Sequence, residues 1–136
     1  MKSSITRREI FNSAHRLFLP HLTDEENFEV FGKCSYPNYH GHNYEVHATV
    51  IGNIDEKTGF VYDIAKLKTI LKEEVLEPFD HRNLNLDTKE FQMLIPTVEN
   101  ITKLIYNKLR ARIEAEYELK VRVYETIRNY SEFPIN

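Results

Sequence analysis

The chain has 136 residues, of which 41% are hydrophobic and 29% charged, a composition typical of one compact domain with its own core. A net charge of −3 at pH 7 argues against nucleic acid as a partner. There is no apolar run of the roughly 18–20 residues needed to span a membrane, no signal-peptide pattern, and one cysteine only. The sequence therefore predicts a single cytoplasmic domain over residues 1–136, with no disulfide and no membrane or nucleic-acid partner.

Strand-like alternation dominates the first half of the chain. Residues 4–15 and 42–52 alternate between apolar and polar side chains, as half-buried strands do. Between them, the acidic segment after Thr23 is typical of a helix start and predicts a short helix. A brief further strand is predicted over residues 60–62.

Two amphipathic helices are predicted next. Asp63 can cap the first by accepting from its free N–H groups, and Pro78 should end it. Pro96 and Thr97 open the second, which should run to about Glu116. The apolar stripes expected to face the core are Ile64, Leu67, Leu71 and Val75 in the first helix, and Ile101, Leu104, Ile105, Leu109 and Ile113 in the second.

In the last third of the chain, the alternation predicts two more strands, over residues 118–127 and 130–135. Residues 80–85, between the two helices, are predicted to form a polar loop. The expected fold class is α+β, with a four-stranded antiparallel sheet that carries both helices on one face. A sheet of this size has exposed edges that can pair with neighbouring copies, so we expect an oligomer.

The stretch from Cys34 to Tyr44 holds the first candidate site. His40 and His42 alternate, so in extended backbone they share one face, roughly 6–7 Å apart at Cα. With His15 from the first strand, three imidazoles could hold a catalytic zinc and leave one position open. The alternative is a set of strand histidines that face solvent. Cys34, six residues ahead of His40, would be a buried apolar residue, a fourth metal ligand, or a base beside the metal.

Two further positions suggest acid–base and binding chemistry. In the pair Asp80 and His81, the carboxylate can orient and tune the imidazole for proton transfer, or it can simply end a helix beside a solvated histidine. Glu125 shares the strand parity of Val121 and Val123, so it points toward a mostly apolar side and needs a partner there. A ligand with two parallel N–H donors would suit it, as would a basic side chain from a neighbour.

Six short motifs follow one another along the chain. They are Asn12-Ser13-Ala14-His15, Phe31-Gly32-Lys33-Cys34, His40-Gly41-His42-Asn43-Tyr44, Asp80-His81-Arg82-Asn83-Leu84, Pro96-Thr97-Val98-Glu99-Asn100 and Tyr124-Glu125-Thr126. In this combination and order, the chain resembles the 6-pyruvoyl-tetrahydropterin synthase family over nearly its whole length. The resemblance implies the tunnelling fold (T-fold), in which strands pair across subunits into trimeric barrels and two trimers form a homohexamer with intersubunit active sites.

The resemblance also implies a zinc-dependent lyase that converts 7,8-dihydroneopterin triphosphate to 6-pyruvoyl-tetrahydropterin and releases triphosphate. The family pattern gives each matching residue a role, with Cys34 as the general base and Glu125 as the pterin anchor. The residues so assigned are His15, His40 and His42 for Zn²⁺; Cys34, Asp80 and His81 for catalysis; and Glu125, Thr97 and Glu99 for substrate binding.

Two alternatives stay open. Relatives that serve queuosine biosynthesis convert the same substrate to 6-carboxy-5,6,7,8-tetrahydropterin and release acetaldehyde and triphosphate. The six-residue step from Cys34 to His40 resembles the pyruvoyl-forming type, whereas Tyr39, in place of a glycine common in relatives, and the segment 127–129 depart from the family pattern. The second alternative is a zinc-containing protein that binds a pterin or purine without catalysis, in which Cys34 closes the metal site.

Overall fold

The structure, a computed structural model, describes residues 1–136. A 3₁₀ turn over Gly32–Ser35 precedes the second strand, and a π-helical turn over Lys72–Leu76 joins the second and third helices. None of the helices is both long enough and apolar enough to cross a bilayer. In chain order the elements are β1 Lys2–His15, α1 Asp24–Phe31, β2 His40–Asn53, α2 Ile64–Leu71, α3 Glu77–Phe79, β3 Arg82–Asn83, α4 Leu84–Asp87, α5 Val98–Arg110, β4 Glu118–Thr126 and β5 Asn129–Phe133.

All strands belong to one sheet, in the order β3-β1-β2-β4-β5. The four long strands pair antiparallel, as the alternation predicted. The prediction of a purely antiparallel four-stranded sheet was incomplete, because β3 adds a fifth strand that pairs parallel with β1 at Ser13 and Ala14. This strand lies in the segment predicted as a polar loop, and two residues are too few to show alternation in the sequence.

The core lies between one face of this sheet and the helices. From the sheet, Phe11, Tyr44 and Val46 are fully buried, and each large apolar side chain so buried contributes about 1.5–3 kcal/mol. The helices contribute Leu67, Ile70, Leu71, Ile101, Ile105 and Leu109. Helices α2 and α5 therefore cover the same face of the sheet, as predicted. On the opposite face, His47 Nε2 contacts Glu45 Oε2 at 2.7 Å.

Two predicted helix ends and one predicted strand were wrong for identifiable reasons. The helix passes through Pro78, which lies in the first turn of α3, where a missing N–H costs little. Helix α5 ends at Arg110 instead of near Glu116, because the guanidinium of Arg110 donates to the carbonyls of Ile113 and Tyr117, at 2.9 and 2.8 Å, and stabilises a turn. Residues 60–62 form no strand; the Phe60 carbonyl accepts from Asp55 N–H within the loop itself.

Candidate metal centre

Three histidines meet where β1 ends and β2 begins. The antiparallel register places His15 directly opposite His40, and His42 follows on the same face. The ring centroids are 4.6 Å apart for His15 and His40, 5.1 Å for His15 and His42, and 5.0 Å for His40 and His42. One potential ligand atom from each residue lies within 4.8 Å of the others. The geometry brings together the three imidazoles that the sequence singled out.

The hydrogen bonding leaves the ring nitrogens of this cluster ready to bind a cation. Nδ1 of His15 is 2.8 Å from the Pro96 carbonyl, which can only accept, so we assign the proton to Nδ1 and a lone pair to Nε2. Nε2 of His40 and Nε2 of His42 are buried and have no hydrogen-bond partner in the protein. Each such nitrogen costs about 1–3 kcal/mol if left unsatisfied. A metal ion with imidazole ligands would satisfy them, so the residues fit such an ion.

Burial keeps His15 and His40 in the neutral form that binds metals. Removal from water, assisted by repulsion from His40 and His42, lowers the pKa of His15 to about 4, although the hydrogen bond to Pro96 acts in the opposite direction. Burial and the neighbouring His42 also lower the pKa of His40. At neutral pH His15 therefore does not need to lose a proton before it can coordinate an ion.

Two side chains border the histidines on the same face of the sheet. The hydroxyl of Tyr44 lies 3.2 Å from Nδ1 and 3.3 Å from Nε2 of His15. Oε2 of Glu125, whose side chain is 17% exposed, lies 3.7 Å from Nε2 of His15. The alternation of β4 predicted this orientation of Glu125. Sequence reasoning gave Tyr44 no role, although its strand parity with His42 was a signal that it would lie beside the cluster.

Cys34 lies in the 3₁₀ turn between α1 and β2, next to the end of β1. Leu17 N–H donates to the Cys34 carbonyl at 2.9 Å, and Nε of Arg16 donates to the Ser35 carbonyl at 2.6 Å. Burial, with the negative charge of Glu125, raises the pKa of the Cys34 thiol. The group of potential ligand atoms within 4.8 Å of one another consists of the three histidines and does not include Cys34.

Asp80 and His81 form a pair at the edge of β1 that faces β3, away from β2. Oδ1 of Asp80 accepts from Asn12 N–H at 2.8 Å, and this hydrogen bond lowers the pKa of Asp80. His81 N–H donates to the Asn12 carbonyl at 2.6 Å, and its ring Nδ1 lies 3.1 Å from Asp80 Oδ1. The His81 side chain is 82% exposed, on a backbone with φ +61°. No hydrogen bond or ion pair connects this pair with the three histidines of the same chain.

Thr97 and Glu99 occupy the first turn of α5. Thr97 is the N-cap, and its Oγ1 accepts from Asn100 N–H at 3.1 Å. It directly follows Pro96, whose carbonyl contacts His15. Glu99 is exposed to solvent. Thr97 is therefore connected to the metal centre through the backbone, whereas Glu99 makes no contact with the histidines.

Comparison with known proteins first defines the class. The structure of 6-pyruvoyl tetrahydropterin synthase from Caenorhabditis elegans superposes with a TM-score of 0.92 at 36% sequence identity, and the match covers 100% of this chain and 97% of the other. The chain is therefore a T-fold protein, with a three-histidine candidate metal centre at one end of the first two strands.

The sequence then gives the family. Residues 4–135 match the family described as 6-pyruvoyl tetrahydropterin synthase. The human protein named 6-pyruvoyl tetrahydrobiopterin synthase is 42% identical over 128 residues, which is 94% of this chain and 88% of the human one. The 6-carboxy-5,6,7,8-tetrahydropterin synthase of Haemophilus influenzae is 27% identical over 135 residues, covering 85% and 91% of the two chains. The chain belongs to the 6-pyruvoyl tetrahydropterin synthase family, which confirms the resemblance inferred from its motifs.

Proposed function

We propose that this protein is a zinc-dependent lyase that converts 7,8-dihydroneopterin triphosphate to 6-pyruvoyl-tetrahydropterin and releases triphosphate. The main structural support is the set of three imidazoles that converge without protein partners for Nε2 of His40 and Nε2 of His42. The relatives that are 41–42% identical to this chain are named 6-pyruvoyl tetrahydrobiopterin synthase. Tetrahydropterin biosynthesis in the cytoplasm is the corresponding role.

The metal would be held by His15, His40 and His42. When bound, zinc would act as a Lewis acid that polarises the side-chain oxygens of the substrate and so acidifies the adjacent C–H bond. Zinc is the ion we favour because a site of three imidazoles with a free position is typical of catalytic zinc.

Cys34 is the proposed general base, which removes the proton from the substrate side chain. Its absence from the group of closely spaced ligand atoms supports a place beside the metal, not in its coordination shell. Burial and Glu125 raise the pKa of the thiol in the metal-free protein, so the thiolate requires a nearby cation to form at neutral pH. The thiol would thus become an effective base only in the loaded site.

Glu125 is the proposed pterin anchor. Its carboxylate lies beside the candidate metal centre and is mostly buried. Oε1 accepts a long hydrogen bond from Nδ2 of Asn129 at 3.4 Å, and no lysine or arginine of this chain pairs with the carboxylate. A carboxylate can accept two parallel N–H donors, which the amidine-like edge of a pterin presents. Thr97 and Glu99 would line the same pocket.

Asp80 and His81 are the proposed partners in proton transfer. Because the His81 ring projects into solvent, the pair would act at the active site of a neighbouring subunit. The sheet supports such an assembly, since β1 is paired with β3 only at Ser13 and Ala14 and β5 is a free edge. We propose a homohexamer, a dimer of trimers, with active sites between subunits.

The 6-carboxytetrahydropterin synthase activity is the second candidate, and the Haemophilus influenzae relative is the observation that favours it. This relative is only 27% identical to the chain, against 42% for the human protein, so the carboxy-forming activity is the weaker candidate. A pterin- or purine-binding protein without activity would have no use for both a free thiol and an Asp–His pair.

One experiment distinguishes the three candidate functions. Zinc-loaded protein is incubated with 7,8-dihydroneopterin triphosphate, and the products are identified by mass spectrometry. We expect 6-pyruvoyl-tetrahydropterin and triphosphate. The carboxy product with acetaldehyde would establish the second function, and unchanged substrate under these conditions would favour a binding protein.

A further inference from the structure

We propose that Asn100 is a positioning residue for the metal centre: its side-chain amide holds the turn over residues 95–97, and the Pro96 carbonyl in that turn orients the ring of His15. The inference rests on the proposed function in one respect, namely that His15 binds the metal. It assigns a task to a residue for which the motifs gave none.

The first link is the hydrogen bond between Nδ1 of His15 and the Pro96 carbonyl, at 2.8 Å. Both residues are buried, so water cannot replace this acceptor. With the proton on Nδ1, the lone pair of Nε2 is available to a metal ion. A ring in the other tautomer would place the lone pair of Nδ1 against the lone pairs of the carbonyl oxygen, which is unfavourable. The position of the Pro96 carbonyl therefore decides which nitrogen of His15 can bind.

The second link is the turn that carries this carbonyl. Proline has no N–H of its own, so Pro96 cannot anchor itself through a backbone donor. The neighbouring Ile95 carbonyl is held instead by two donors, Thr97 N–H at 2.8 Å and Nδ2 of Asn100 at 2.9 Å. The bond from Thr97 to Ile95 closes a three-residue turn with Pro96 at its centre. Loss of the Asn100 donor would leave only this weak, three-residue closure.

The third link fixes Asn100 itself. Its backbone N–H donates to Oγ1 of Thr97, and Ile101 and Ile105 anchor the same helix in the core. Asn100 is partly buried and lies on a rigid element. Two hydrogen bonds, joined by the Ile95–Pro96 peptide unit, therefore connect Asn100 of α5 to His15.

The test compares Asn100→Asp and Asn100→Ala with the control Asp63→Ala. Asp replaces the NH₂ donor with an acceptor at almost constant size, whereas Ala removes the side chain. The control removes a hydrogen bond of a similar kind, from Ala65 N–H to the N-cap of α2, which does not contact the histidines. All variants are compared in their folded state, verified by circular dichroism.

Two measurements are made, neither of which depends on turnover. Zn²⁺ affinity is measured by competition with a chromophoric chelator, and the tautomer of His15 is read from ¹⁵N NMR of the metal-free protein. We expect about a tenfold loss of affinity in both Asn100 variants, the lower end of the range for partners of metal ligands. We also expect a shift from the pure Nδ1–H tautomer to a mixture, and wild-type values for Asp63→Ala.

A folded Asn100 variant with affinity within twofold of wild type and an unchanged His15 tautomer would overturn the inference. If Asn100→Asp does not fold, Asn100→Ala decides the question on the same two measurements. The outcome is independent of the proposed reaction, since a wild-type protein that binds zinc without turning over the pterin would refute the function and leave this inference in place.

Discussion

The titration of His15 predicts how the metal-free protein responds to acid. Its pKa is about 4 in the native state, against 6.5 for an exposed histidine. Between these values the unfolded chain takes up a proton that the native state does not, so the unfolded state is favoured as the pH falls. The free energy of unfolding should therefore decrease from about pH 6.5 downward and level off near pH 4.

The magnitude follows from the two pKa values. At about 1.4 kcal/mol per pKa unit, the full difference corresponds to about 3 kcal/mol, of which about 2 kcal/mol is lost between pH 7 and pH 5. No reduction for solvent screening applies, because the His15 side chain is fully buried. The lowered pKa of His40 adds to the loss with the same sign.

Urea unfolding at fixed chain concentration, with a chelator present, measures this loss at pH 7 and pH 5. Other groups also titrate, so the decisive quantity is the difference between wild type and His15→Gln, which can still donate to the Pro96 carbonyl but carries no titrating ring. Wild type should lose about 2 kcal/mol more than the variant over this range. Equal losses in the two proteins would show that His15 is not held neutral by burial.

Three further predictions concern the proposed roles of single residues. Cys34→Ala should keep one zinc per chain by elemental analysis and lose turnover, and loss of the metal would show that Cys34 is a ligand. His81 has a left-handed backbone conformation, so His81→Gly should raise the free energy of unfolding in urea by about 1 kcal/mol. Turnover of the same variant should fall by about 10²-fold or more. Full turnover in that variant would exclude His81 from proton transfer. Glu125→Gln should raise KM about 10- to 100-fold, and an unchanged KM would exclude Glu125 as the pterin anchor. In metal-free protein the same substitution should lower the pKa of the Cys34 thiol, which is measured from the pH dependence of its alkylation.

Period-two alternation is the reason that the sheet could be predicted. The alternation of β2 placed His40 and His42 on one face, and that of β4 turned Glu125 toward the apolar side, because one side of each strand is buried. The start of α1 was also visible, since Thr23 and Glu26 form a capping box in the structure. Local patterns of this kind are encoded within a few residues.

The features that could not be predicted depend on contacts between distant segments. Strand β3 exists only because β1 lies beside it, and the Pro96 carbonyl becomes a partner of His15 only after α5 has packed. Backbone conformation is a second source of such features. Tyr39, which stands where the family resemblance has glycine, has φ +66°, a value at which glycine avoids the cost that a side chain incurs. The turn that leads into His40 thus explains the glycine of the family pattern, and Tyr39 incurs a backbone cost that glycine would avoid.

The register between β1 and β2 links the core to the metal centre. The same antiparallel pairing places Phe11 opposite Tyr44, with rings stacked 5.0 Å apart, and His15 opposite His40. Because side chains alternate with a period of two, a slip of one residue would move the apolar side chains of a strand out of the core and its histidines to the other face. The burial of Phe11 and Tyr44 therefore selects the one register in which the imidazoles converge. The candidate metal centre is organised by the core before any ion binds, and the free energy of metal binding would in turn stabilise the strand pairing on which the core depends.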